Sequence, residues 1–173
     1  AGTEGPSQKE LYTQGNFGKS VAINGDGTIV AVAAPNVKAG ARAISVYGWD
    51  IDTQFTYTDN AWSGHSSITS TGTGSQGYEV ALNDAGNILA YSTPGSAGIV
   101  PGYTEIVRLA GKVEVCYWDT TAWKDFYTDY GPGAGSMLSR IDLSPSGRYI
   151  AMGSPVGPDR TAAGWDFWTA FSA

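Results

Sequence analysis

Between Ser20 and Pro35 the chain alternates apolar and small positions, breaks at the polar turn Asn24-Gly25-Asp26-Gly27, and resumes as a second apolar run that stops at Pro35. Two short strands around such a turn predict a β-hairpin. The pattern recurs from Glu79 to Pro94 and from Arg140 to Pro155, at offsets of 59 (Val21 to Val80) and 61 (Val80 to Ile141). Gly27, Gly86 and Gly147 hold one place in the turn, where a positive φ is expected. Pro35, Pro94 and Pro155 end the second strand because proline brings no N–H to a ladder.

A second repeating half follows. Ala41 to Asp50 aligns with Ala110 to Asp119, so that Ile44 and Val46 match Val113 and Val115 on one face. Ala61-Trp62 aligns with Ala122-Trp123, again 61 apart, and opens a fourth strand. Four strands in about 60 residues are the unit of a propeller blade. The expectation is an all-β, β-propeller-like chain of three four-stranded blades: residues 14–75, 76–134, and 135–173 together with 8–13.

The third blade is the odd one. After Pro155 the run Ala163 to Phe171 supplies a third strand, and the fourth has its counterpart at the other end, where Lys9-Glu10-Leu11-Tyr12-Thr13 resembles Lys124 to Thr128. Leu11, Tyr12 and Thr13, with Trp165, Phe167, Trp168 and Phe171, are therefore the expected assembly strands. Three blades fall short of the usual ring of about 4 to 8. The N-terminal strand is thus expected to complete a blade of another chain, giving a homo-oligomeric ring or a polymer. The other reading is one piece of a longer propeller.

Composition narrows the partners. With 10 Lys+Arg against 16 Asp+Glu the net charge is −6, which argues against a phosphate backbone as ligand. No apolar run approaches the ~18 residues of a membrane span. One Cys and one His exclude an intrachain disulfide and a structural zinc site. The 24 Gly in 173 residues fit a turn-rich β protein. The small, polar start Ala1-Gly2-Thr3 suggests a processed N-terminus, as after signal-peptide removal.

Phe17-Gly18-Lys19-Ser20-Val21-Ala22-Ile23-Asn24-Gly25-Asp26-Gly27, followed by Ala33-Ala34-Pro35, resembles the FG-GAP or integrin-α-like propeller repeat; Gly153-Ser154-Pro155 stands at the same place. Ala110 to Trp118, with Trp123, is similar to the second half of that repeat. The resemblance implies a propeller and an extracellular binding, adhesive or matrix role without catalysis. Many such repeats hold calcium in a D-x-D-x-D-G loop. The loops here, Asn24 to Gly27, Asn83 to Gly86 and Ser144 to Gly147, each carry at most one carboxylate, so calcium is not expected and no cofactor is assigned. Asp50 and Asp52 read as a solvated turn.

Chemical motifs are sparse. Gly72-Thr73-Gly74-Ser75-Gln76-Gly77 and Gly18-Lys19-Ser20 match fragments of phosphate-binding loops, but strands follow where a helix is needed. His65 has no nucleophile elbow beside it, Cys116 sits in an apolar strand, and Asp119, Asp125 and Asp142 are scattered, so no enzyme is expected. Trp49 and Trp118, like Trp62 and Trp123, repeat by position and read as packing between blades. The non-repeating insertions, with Phe55, Tyr57 and Tyr103, and the end-blade residues Trp165 and Trp168, are the candidate binding positions. No N-x-[ST] sequon occurs; the Ser/Thr run from Ser63 to Ser75 could accept O-glycans but reads first as a plain inter-blade loop. The functional expectation is a secreted structural or adhesive repeat protein assembling by blade complementation, with a glycan-binding propeller lectin as the alternative.

Overall fold

The computed structural model describes residues 15–37, 39–49, 62–69, 75–99, 106–107, 110–131, 135–154 and the strand 166–170. All regular structure among them is strand. The first sheet runs in the order β1 (Val21–Ile23), β2 (Ile29–Ala33), β3 (Arg42–Trp49), β4 (Trp62–Thr69). The second comprises β5 (Val80–Leu82) and β6 (Ile88–Thr93), then β9 (Lys112–Trp118) and β10 (Trp123–Tyr130). Between β6 and β9 lies a separate two-stranded ladder, β7 (Gly98–Ile99) with β8 (Ile106–Val107). The third sheet has β11 (Arg140–Leu143), β12 (Ile150–Ser154) and β13 (Asp166–Ala170). All pairings are antiparallel. These three sheets are called blades one, two and three.

The three hairpin turns share one construction. Gly27, Gly86 and Gly147 have φ of +76°, +69° and +73°, the left-handed region that a side chain resists. The residue three before each glycine caps the turn: Asn24 Oδ1 accepts from Ile29 N (2.8 Å), Asn83 Oδ1 from Ile88 N (2.9 Å), and Ser144 Oγ from Tyr149 N (3.0 Å). Such side-chain acceptors replace ladder bonds that the turn cannot make.

Period-two alternation gives each blade two apolar faces, and consecutive blades stack face to face. Ala31, Ala33, Ile44 and Val46 of blade one meet Val80, Leu89, Tyr91 and Cys116 of blade two. Ala90, Val113 and Val115 on the opposite face of blade two meet Leu138, Ile150 and Met152 of blade three. The two joints are the same joint repeated, since Ala31, Ile44 and Val46 correspond to Ala90, Val113 and Val115. The small Ala31, Ala33 and Ala90 let the next hairpin come close, and all three are fully buried.

Candidate functional site

Among the described residues no further blade packs on the front of blade one or the back of blade three, although Val32 and Ser45 on that front are buried. Val21 and Ile23 on the front of blade one are 57% and 59% exposed, whereas their blade-two counterparts Val80 and Leu82 are buried and half-buried. Tyr149 on the back of blade three is 57% exposed and Ala151 is exposed, whereas Ile88 and Ala90 are half-buried and fully buried. Side chains whose counterparts the internal joints cover are thus open at both ends of the described stack.

Two polar bonds recur at each internal joint. In the first, the turn amide of one blade donates to the turn carbonyl of the next: Gly25 N to Asp84 O (3.0 Å), then Asp84 N to Pro145 O (2.9 Å). In the second, the side chain before the first strand accepts from the backbone of the next blade: Ser20 Oγ from Val80 N (3.1 Å), then Glu79 Oε2 from Ile141 N (2.9 Å). Glu79 also takes the Arg140 guanidinium at 3.2 Å. A side chain touching Gly86 or Gly147 would complete the joint badly. A Cβ there would stand 2.7 Å from Ile29 Cδ1 or 2.5 Å from Ile88 Cδ1.

A cleft of about 560 Å³ opens between blade two and the blade-three turn, lined by Ile88, Cys116, Tyr117, Phe126 and the turn residues Ser146 to Arg148. Tyr117 and Phe126 face each other edge-on, ring centres 6.4 Å apart, and both are exposed. Phe126 reaches the cleft because β10 bulges there: Asp125 pairs with Cys116 and Tyr127 with Val115, leaving Phe126 unopposed. The same bulge occurs in β4, where Gly64 pairs with Tyr47 and Ser66 with Val46, so that the sole histidine, His65, holds the Phe126 position. Sequence reasoning missed this equivalence, although the 61-residue offset that relates Trp62 to Trp123 also relates His65 to Phe126.

Cys116 is buried, with its thiol 3.5 Å from Asp125 Oδ1; burial, then the Asp125 carboxylate, pushes its pKa up to about 12. It is a protonated packing group at neutral pH, not a nucleophile. Burial also raises the Tyr91 hydroxyl, with Glu114 adding to it. In the first turn the Asp26 carboxylate is held below its usual range by the Thr28 hydroxyl and then the Thr28 amide, and it also takes the Asn24 amide, so its Oδ1 serves the turn itself. Among the described residues no group of three His, Cys, Asp or Glu side chains is placed to hold a metal ion.

The repeated tryptophans pair within their blades: Trp49 lies opposite Trp62, and Trp118 opposite Trp123 with ring centres 5.6 Å apart. Trp123 also crosses the joint, donating its indole N–H to Ser66 Oγ at 2.6 Å. Of the expected contact residues, Leu11, Tyr12, Thr13, Phe55, Tyr57, Tyr103, Trp165 and Phe171 lie outside the described residues. Phe167 and Trp168 are placed by backbone alone, opposite Gly153 and Met152 on β12. The proposed fourth strand of blade three therefore lies outside the described residues too.

No family model matches the chain, and no curated protein matches it. Among solved structures it is similar to a chain of the "Crystal Structure of Mitotic Checkpoint Complex", with a TM-score of 0.50 and 12% identity. The match covers 92% of this chain but 38% of that one, and the neighbour is a propeller protein. The fold is all-β and propeller-like. At that identity the likeness concerns the fold alone, and this chain spans well under half of its neighbour.

Proposed function

We propose that this chain is a non-enzymatic structural module that works by blade-to-blade assembly, its two end blades being the contact surfaces. One observation carries the reading: the positions that are buried or half-buried at both internal joints, Val80 and Leu82, then Ile141 and Leu143, are open on the front of blade one, at Val21 and Ile23. Burying each of these side chains fully would contribute up to about 1.5–3 kcal/mol to such a joint. Ring closure and filament growth are the two forms such assembly takes. An extracellular, adhesive setting is part of the proposal and rests on the FG-GAP resemblance of Phe17 to Gly27.

The test is association through that face. Light scattering is recorded over a concentration series for the chain alone and mixed with a copy whose blade-three joint residues are rebuilt to match blades one and two. Association in either sample that disappears with Val21→Asp and Ile23→Asp supports the proposal; monomers throughout refute it. A second reading, sugar binding, is favoured by the Tyr117–Phe126 cleft, whose open rings suit the apolar face of a pyranose. Glycan-array binding that vanishes with Phe126→Ala would support it, and an array without signal would remove it.

A further inference from the structure

The two ends of the stack are not equally regular. Blade one's front keeps every element of the repeating joint: Val21 and Ile23 stand where Val80 and Leu82 do, Gly27 where Gly86 does, and Gly25 presents the turn carbonyl that Asp84 presents. Gly27 is also open, with nothing nearer to a would-be Cβ than Ile23 Cδ1 of its own hairpin at 3.9 Å. Blade three's back departs at three of these places. Pro145 occupies the position of the donating Gly25 and Asp84 amides and has no N–H. Arg140 occupies the position of the accepting Ser20 and Glu79 side chains, and a guanidinium cannot accept. Tyr149 replaces the Ile29 and Ile88 side chains that sit tightly against the next glycine.

We infer that the front of blade one docks a β-blade offering a free turn N–H, an acceptor side chain before its first strand and a β-branched residue after its turn, and not blade three of a second copy. This rests on the assembly reading above and names the partner for it. It differs from the simplest homomeric form, in which the chain's own back would meet its own front. In that arrangement the Gly25 carbonyl would face a proline ring and the Val21 amide would face a guanidinium. Both groups would then be desolvated without the partner that each internal joint supplies.

The probe is a rebuilt copy of the full chain carrying Arg140→Ser, Pro145→Asp and Tyr149→Ile, which places the blade-one and blade-two residues on blade three's back. By sedimentation velocity, the wild-type chain is expected to stay monomeric where the rebuilt copy self-associates. Two restored bonds of ordinary net strength correspond to roughly thirtyfold tighter binding of the rebuilt copy to wild type than of wild type to itself. Val21→Asp with Ile23→Asp on the receiving chain should abolish it. Arg140→Ser alone changes an exposed side chain, keeps folding out of question, and should yield roughly fivefold. Wild type associating with itself as tightly as with the rebuilt copy, through Val21 and Ile23, overturns the partner assignment and leaves the assembly reading intact. No association in any mixture overturns both.

Discussion

Gly86 and Gly27 occupy the same turn position with nearly the same backbone, φ +69° and +76°, but only Gly86 lies inside a joint. An alanine at either place takes on the left-handed strain of about 1–2 kcal/mol. At Gly86 its Cβ would also stand 2.7 Å from Ile29 Cδ1 and 3.1 Å from both Ile29 Cβ and Asn24 Nδ2. The Cδ1 methyl can swing aside, but Ile29 Cβ is fixed to the backbone, and the Asn24 amide is held by Asp26 and by Ile29 N. Relief must come from moving the blades apart, which overpacking data put at about 1–3 kcal/mol. Gly86→Ala is therefore expected to destabilise the chain by that much more than Gly27→Ala. Urea unfolding followed by tryptophan fluorescence reads the difference as a shift in midpoint at a common slope. Because both variants remove a glycine from the unfolded chain, that contribution cancels. Equal midpoints would mean that the blades do not meet as closely at Gly86 as described.

Other expectations follow from single contacts. Glu79→Ala should cost about 1.5–3 kcal/mol, because it strips a charged acceptor from Ile141 N, while Arg140→Ala should cost under about 1 kcal/mol as the loss of an exposed ion pair; chemical denaturation of both compares them. Trp123→Phe keeps the ring and loses the bond to Ser66, so about 0.5–1.5 kcal/mol should be lost in the same assay. The raised Cys116 pKa keeps its contribution complete below the unfolded thiol value of about 8.5, and that contribution is lost as pH rises towards 12. Cys116→Ala should therefore flatten part of the alkaline limb, and Ellman's reagent should label the wild-type thiol only on unfolding. The Asp119 carboxyl is held low by the Thr121 hydroxyl, then by the Ala122 and Thr121 amides. Its contribution is complete above about pH 4 and lost as pH falls further, so Asp119→Asn should flatten the acid limb.

The hairpins were legible because their signals are local. A polar turn with glycine at one place and a proline after the second strand fix each hairpin without reference to its neighbours, and Gly27, Gly86 and Gly147 took the expected φ. The four-strand order of blades one and two followed from the tryptophan and Ile/Val repeats. The joint bonds were not legible. Ser20, Glu79 and Arg140 share no chemistry that marks them as equivalents, and the first two become comparable only once stacking brings Val80 N and Ile141 N to them. Phe126 was read as an ordinary strand residue, since nothing in Lys124 to Thr128 announces a bulge; the bulge arises from the pairing with β9. The tryptophans, expected between blades, lie opposite each other within a blade by antiparallel register, and of these Trp123 also packs across the joint and bonds Ser66.

The bonds from Gly25 to Asp84 and from Asp84 to Pro145 run in one direction, each turn giving a hydrogen to the next. A row of this kind has a grammar: a blade with a turn amide passes a hydrogen to the next, whereas one with proline at that place has none to pass. For anyone lengthening the protein by gene duplication, the copies are therefore not equivalent. Inserting extra copies of residues 76–134 between blades two and three should extend the stack with every seam intact, while repeating the third blade would leave a seam in the middle of it without that hydrogen.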